Sequence, residues 1–321
     1  MNGHMRHLPR ISEVRLRFNL KKHYDVTPAT LELLPLGLDY RSAVYRVVSV
    51  QGTAYLLKVT SRPLYKPQYL IPRFLHNQGI TGVVAPISTK SGALWTRIDN
   101  WTIVVYPFII GDSSFNGMSA EQWKKMGTIL RRIHQIALPP QEFKSIRRET
   151  FDSTVYVQGI RAIEDQLTRF EGGSTLENTL HASWVAHRLT IHDKLTSLEK
   201  LARSLKSQTR PLVICHADLH PANLIRNPGG QVFVIDWDEV MLAPKERDFI
   251  FVSHPHDFFQ GYGAVEVDET VLTYYRLERV LQDLIECARN VCFRDDLGEA
   301  TKADAMKLFQ NILAEEAAGE P

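Results

Sequence analysis

A chain of 321 residues, 44% apolar and 23% charged, carries enough apolar surface for one large or two modest folded domains and excludes a disordered polymer. With 38 Lys and Arg against 36 Asp and Glu, its net charge of +2 is too small to call for a nucleic-acid partner. The three cysteines, Cys215, Cys287 and Cys292, are odd in number and lack paired metal-type spacing, which argues against a disulfide framework or a zinc site.

Residues 1–10 are polar and lack the apolar core of a leader, and no later apolar run reaches membrane-spanning length. A reducing cytoplasm is the expected location. Residues 31–59 read as strands: LELLPLG, SAVYRVVSV and TAYLLKV are rich in β-branched and apolar side chains, separated by Gly37 and by Gln51-Gly52. The second gap is a two-residue turn, which predicts a hairpin. A short helix is expected over 67–77, closing near Gly79, after which GVVAPIS, GALWTR and WTIVVYPFI resume the strand pattern.

The character changes after Gly111. Ser119 followed three residues later by Gln122 marks a capping-box helix start, and Trp123, Met126, Leu130, Ile133 and Ile136 recur at helical spacing on one face. Further helices are expected near 154–170, 177–206 and 269–293, the last carrying Cys287 and Cys292 as buried thiols. Between the last two lies a strand–loop–strand unit, PLVICHADLHPANLIRNPGGQVFVIDWDE. The expected organisation is α+β: a small antiparallel-sheet lobe over 1–108, a hinge near 106–111, and a larger helical lobe over 109–321.

The chemistry concentrates in HADLHPAN, residues 216–223, and VFVIDWD, residues 232–238, joined through the turn Asn227-Pro228-Gly229-Gly230. Phosphoryl transfer needs little covalent help from a protein; it needs an acceptor hydroxyl held in line and cations that neutralise the triphosphate. Asp218 offers a carboxylate to accept the hydroxyl proton. Asn223 and Asp236 offer the hard oxygen ligands that magnesium requires. Lys58, inside YLLKVT, is a lone charge on an apolar strand, and a buried ammonium calls for an anion such as a nucleotide phosphate. His216 reads as an orienting or packing histidine. Arg247 and Asp248, in KERD, read as an internal ion pair at a helix start, and His220 as a residue of the loop or of the surface.

The pattern H-x-D-x-x-x-x-N followed by apolar-Asp-x-Asp resembles the catalytic and metal motifs of the aminoglycoside phosphotransferases and choline-type kinases, relatives of the protein kinases. IDWDEVMLAPKERDF and GYGAVEVDETVLTYYRLERV are similar in particular to the spectinomycin-phosphorylating branch. The resemblance implies a bilobal protein-kinase-like fold, ATP and magnesium as cofactors, and a small hydroxylated, cationic antibiotic as acceptor, with no nucleic acid or membrane involved. It places Gly37 and Ser42 in a phosphate-covering loop, Lys58 on the phosphates, and the backbone of Tyr106, Phe108 and Ile109 against adenine. Asp218 becomes the base, Asn223 and Asp236 the metal ligands, and Asp238, Asp257, Tyr274 and Glu278 the substrate contacts. Residues 236–286 hold twelve acidic side chains against four basic, a net of −8 that suits the amines of such a substrate.

One departure stands out. Kinases pair the strand lysine with a helix carboxylate, yet no Asp or Glu lies between Lys58 and Asp99. Gln68 as a neutral partner, or a carboxylate from elsewhere such as Glu32 or Asp39, are the expected replacements. Two other readings stay open: a kinase of a metabolite alcohol such as choline, homoserine or a sugar, and a nucleotide-binding module without turnover.

Overall fold

The structure, a computed structural model, describes residues 11–34, 41–114, 117–138 and 143–318. Helix α1 (Glu13–Tyr24) leads into strands β1 (Pro28–Leu34), β2 (Ser42–Ser49) and β3 (Ala54–Thr60), helix α2 (Pro67–Asn77), and strands β4 (Thr96–Ile98) and β5 (Trp101–Pro107). Helix α3 (Ala120–Gln135), the two-residue β6 (Arg147–Arg148), and helices α4 (Thr154–Thr168) and α5 (Thr175–Lys206) follow. Four short strands come next: β7 (Val213–Cys215), β8 (Leu224–Arg226), β9 (Val232–Val234) and β10 (Met241–Ala243). Helices α6 (Pro255–Tyr262), α7 (Glu269–Cys292) and α8 (Glu299–Ala318) complete the chain.

These elements form two compact units. Among the described residues, one joins 11–149 to Pro211–Glu266; the other joins Thr150–Arg210 to the residues from Val267 onward. The expected lobe boundary at 108/109 falls inside the first unit, between β5 and α3.

In the first unit an antiparallel sheet runs in the order β1-β2-β3-β5-β4. Strand parity divides its two faces. Leu57 and Val59 of β3 join Val47, Ile103, Val105 and the α1 side chains Leu16, Leu20 and Tyr24 in one buried cluster. Lys58, one residue out of phase, pairs across the sheet with Val44 and Val104 on the opposite face. There Val104 packs with Tyr69 of α2, Leu94 and Tyr106. A slip of one residue in β3 would put the lysine into the α1 core, so the hydrophobic pattern of the strand also aims its single charge.

Two expectations need correction. GVVAPIS forms no strand: Val83 makes only an isolated bridge to Val234, and Pro86 lacks the N–H a ladder would need. The strand expected in GALWTR is reduced to Thr96–Ile98, which continues to the turn before β5. Helices α1, α6 and α8 arise where none was expected. The first is very basic on its exposed side, and only Leu16, Leu20 and Tyr24, four apart, betray the buried stripe.

β8 and β9 make the expected antiparallel hairpin, with Leu224 opposite Val234. Gly111 runs so close to it that a Cβ there would lie 2.7 Å from the Arg226 carbonyl oxygen. The chain leaving β5 can therefore lie against the hairpin only as glycine, and the buried Arg226 guanidinium then pairs with Asp112 at 2.7 Å. The Ser119–Gln122 capping box of α3 is present in both directions, at 3.3 and 2.9 Å.

In the second unit the long helices α5 and α7 pack on each other and on α8. Ser174 and Glu177 cap α5 reciprocally, which starts the helix two residues earlier than the periodicity suggested. Asp268 accepts the Thr270 and Val271 amides at the start of α7. Among the described residues no helix is long and apolar enough to cross a membrane.

Candidate active site

The Lys58 side chain, 13% exposed, is held by carboxylates from the second motif. Its Nζ donates to Asp236 Oδ1 at 2.9 Å and reaches both oxygens of Asp238, at 3.1 and 3.0 Å. Burial opposes the ammonium charge, but the two carboxylates outweigh it and raise the lysine pKa well above its ordinary value. For Asp238, burial and the neighbouring Asp236 exceed the pull of Lys58, and its carboxyl is raised to about 6. Asp236 moves the other way: burial would raise it, but Lys58 holds it below the usual range. The helix carboxylate missing from the sequence is thus supplied from the loop after β9. Of the replacements expected, Glu32 instead faces Arg46 at 4.0 Å, Gln68 is buried in α2, and Asp39 lies outside the described residues.

The first motif follows β7. His216 is fully buried, and both ring nitrogens are committed to backbone. Nε2–H donates to the Ile235 carbonyl at 2.8 Å, and Nδ1 accepts the Asp218 amide at 3.3 Å. That pattern leaves the imidazole neither lone pair nor proton for chemistry. Its role is to tie the Asp218 loop to the segment carrying Asp236. Ala217 between them has φ +70°, a left-handed conformation that costs a non-glycine residue about 1–2 kcal/mol. Asp236, at φ +58°, carries the same kind of strain.

Asp248 holds the first of these turns in place. It is fully buried, and its Oδ2 and Oδ1 accept the consecutive amides of His216 and Ala217 at 2.9 and 2.7 Å. His134 Nε2–H donates to Oδ2 at 3.1 Å, while the Tyr262 hydroxyl donates to His134 Nδ1 at 2.8 Å. This corrects the expected Arg247–Asp248 ion pair: the carboxylate is an acceptor for the strained turn, not for its sequence neighbour. Burial would raise its pKa, but His134 and the amides more than offset that and lower it. Pairing rules could not reveal this, because the donors are backbone groups 31 and 32 residues away.

Asn223 ends a short 3-10 turn of residues Pro221–Asn223 and is itself buried. Its amide nitrogen donates to the Asp218 carbonyl at 2.8 Å, more weakly to Asp218 Oδ2 at 3.4 Å, and lies 3.3 Å from His220 Nε2. The nitrogen is therefore turned to the loop, leaving the amide oxygen as the acceptor. The Ile235 amide donates to the Asn223 carbonyl at 3.0 Å, so Asn223 and Asp236 flank one open end of the β8–β9 hairpin. A carboxylate and an amide oxygen carried at the same end of this hairpin are the hard oxygen donors that magnesium takes. His220 sits 3.6 Å from Asp218 Oδ2, within the loop and mostly shielded.

The remaining expected residues divide. Ser42 opens β2 opposite Thr60, while Gly37 lies outside the described residues. Tyr106 pairs with Leu56 in the sheet, and the Phe108 amide already donates to Ala54 at 3.4 Å, which removes that donor from a nucleotide edge. Asp257 sits half-buried in the first turn of α6. Tyr274 is fully buried against Phe151 and Tyr275, so it serves the core of α7 and presents no surface to a substrate. Glu278 is nearly as buried, 3.5 Å from the Tyr274 hydroxyl.

A strand lysine facing the aspartates of one loop, beside a second loop carrying His, Asp and Asn, defines a protein-kinase-like phosphotransferase. The chain belongs to the phosphotransferase enzyme family, whose model matches residues 32–284, and it transfers phosphoryl groups to an alcohol acceptor. Among solved structures it is similar to spectinomycin phosphotransferase APH(9)-Ia in complex with ADP and spectinomycin. The two are 28% identical, the alignment covers 94% of this chain and 95% of that one, and the TM-score is 0.84. An aminoglycoside phosphotransferase from Alicyclobacillus acidocaldarius, 15% identical, matches with TM-score 0.60 over 97% of this chain and 95% of the other. A kanamycin- and GDP-bound relative, APH(2")-IIia, 13% identical, matches with TM-score 0.62 over 94% and 99%. These last two show the fold alone. No curated protein sequence matches the chain.

Proposed function

We propose that the protein moves the γ-phosphoryl of ATP onto a hydroxyl of an aminocyclitol or aminoglycoside antibiotic, with spectinomycin as the preferred acceptor. The observation that carries the chemistry is the convergence of Lys58 on Asp236 and Asp238, beside a strained loop that presents Asp218. The spectinomycin assignment draws support from the 28% identical relative, whose structure holds that antibiotic, and from the acidic stretch 236–286. Residues 1–108 form the nucleotide lobe and 109–321 the catalytic and acceptor lobe in this reading.

Asp218 accepts the proton of the attacking hydroxyl and orients it, held in place by His216, Asn223 and the Asp248 clamp. Lys58, kept charged by its carboxylates, meets the phosphates, and the backbone of Ile109, past the end of the β3–β5 ladder that occupies Tyr106, meets the adenine edge. Asn223 and Asp236 hold magnesium, which when bound supplies charge neutralisation on the triphosphate. Asp257 receives an amine of the acceptor through charge-assisted hydrogen bonds, while Glu278, buried beside the Tyr274 hydroxyl, is left out of the acceptor contacts.

Replacing Asp236 with Ala is expected to abolish turnover and to weaken nucleotide binding in the presence of magnesium only. Calorimetry with and without the metal decides this. Equal magnesium-dependent affinity in both proteins would remove Asp236 from the ligand set.

The acceptor reading is tested by mass spectrometry of reactions containing ATP and a panel of alcohols. Spectinomycin should gain one phosphate, while kanamycin and choline should react poorly, because a site built for one set of amines leaves its carboxylates unpaired by another. If spectinomycin stays unmodified and a metabolite alcohol is phosphorylated instead, the kinase reading stands and the antibiotic reading does not. A chain that phosphorylates none of the panel and does not hydrolyse ATP would favour a binding module.

A further inference from the structure

The sequence lacks the acidic helix residue that would pin the strand lysine, and the structure assigns that task to Asp238: we infer that Asp238 is the positioning residue for Lys58, held in place by Arg147 and Tyr65. The inference rests on the reading of Lys58 as a phosphate contact.

Lys58 Nζ has three hydrogens and lies within 3.1 Å of three carboxylate oxygens, two of them on Asp238. Asp236 is 43% exposed, whereas Asp238 is 19% exposed beside a lysine that is 13% exposed. The more enclosed, doubly contacting carboxylate is the one suited to a permanent partnership, because its charge is costly to leave uncompensated. Asp236 then remains available for a ligand. Without Asp238 the ammonium would have Asp236 alone, and the residue proposed for magnesium would be tied to the lysine.

A second, independent observation shows that the Asp238 segment is built to stay where it is. Arg147 Nη2 donates to the Asp238 carbonyl at 2.9 Å, and Nη1 pairs with Glu239 at 2.9 Å. The guanidinium lies 4.4 Å from the centre of the Tyr65 ring. The Tyr65 hydroxyl donates to the Val240 carbonyl at 2.8 Å and accepts the Arg147 amide at 3.0 Å. Tyr65 stands just before α2, the helix where the sequence offers no carboxylate. The region of α2 contributes an anchor for the Asp-x-Asp loop, and the loop contributes the charge. Carboxylate and scaffold have exchanged places.

The test is a double-mutant cycle on nucleotide affinity without any acceptor, so that it does not depend on the substrate assignment. Lys58→Met, Asp238→Asn and the double variant are titrated with ATP and with ADP by calorimetry, in magnesium and in magnesium-free buffer. Folding is checked by thermal melting. Asp238→Asn should weaken nucleotide binding roughly tenfold in both buffers, and this effect should shrink to about twofold or less in the Lys58→Met background, as for two residues acting through one contact. Asp238→Glu should restore part of the affinity, and with an acceptor present the variant should raise KM for ATP more than KM for the acceptor. If Asp238→Asn melts too low to assay, Arg147→Gln, at a half-exposed site, should give a smaller loss that also vanishes beside Lys58→Met.

Full additivity of the two substitutions, unchanged nucleotide affinity in Asp238→Asn, or a loss seen only with magnesium would each overturn the inference. The last would mark Asp238 as a metal ligand. If Lys58→Met itself leaves nucleotide affinity intact, it is the phosphate-contact reading of Lys58 that fails, and the inference falls with it.

Discussion

Asp218→Asn is expected to reduce kcat by about two to four orders of magnitude, the range for loss of a positioned base, or about 2.7–5.4 kcal/mol of barrier. The reason lies in what the substitution keeps. A carboxamide has nearly the same shape, and the backbone contacts of residue 218, from Asn223 to its carbonyl and from its amide to His216, are independent of the side chain. The loop should keep its conformation while losing the oxygen proposed to accept the proton. Nucleotide affinity, which depends on Lys58 and the Asp236 region in this reading, should hardly move. Single-turnover measurements separate the chemical step from product release. Turnover close to that of the wild type would exclude Asp218 as the base.

Asp248→Ala is expected to be the most destabilising single change at the site, by about 3–5 kcal/mol, with a fall in melting temperature on the order of 10 °C. The substitution leaves two consecutive amides and the His134 Nε2–H without their acceptor in a fully buried position. It also releases Ala217 from φ +70°, so residual activity at low temperature should fall more than the folded fraction does. The pH dependence has a definite sign. The folded carboxyl titrates below its ordinary value of 3.8, so the wild type binds fewer protons folded than unfolded at this site as the pH falls below that value. The stabilisation is fully present above about pH 4 and is lost as the pH drops through the lower, folded pKa. Denaturant melts of the two proteins should differ by a constant amount from pH 7 to 5 and converge in stronger acid. A gap that instead closes between pH 7 and 5 would show that the carboxylate is not what holds the turn.

Much of the HADLHPAN loop is legible in the sequence alone because its parts are close together in the chain. Asp218 and Asn223 are five residues apart, and a turn that short brings them together in any compact arrangement. The Asn227–Gly230 turn between two apolar runs predicts the β8–β9 hairpin, which in turn sets Asn223 beside the segment of Asp236. The face occupied by Lys58 is equally legible, since alternation along β3 leaves one parity for the core and the other for the charge. The same local rules find α3 and its capping box, and they misread GVVAPIS, where apolar content is high but Pro86 and the surrounding packing allow only a single bridge.

What the lysine touches is a different matter. Lys58 and Asp238 are 180 residues apart, and no periodicity or spacing links them. The amides held by Asp248 carry no side-chain signature at all, and Tyr65 and Arg147 look like ordinary surface residues until the loop after β9 is laid across them. Tyr274 shows the same limit on a helix: its place in the chain suggests a contact, but the rotation of α7 against Phe151 turns it into the core. Hydrogen-bond geometry within a turn is decided by neighbouring residues, so the local chain encodes the motif and its strands. Which buried charges meet is decided by the packing of segments far apart in sequence, where each desolvated group must find a partner, and that is legible only once the chain has folded.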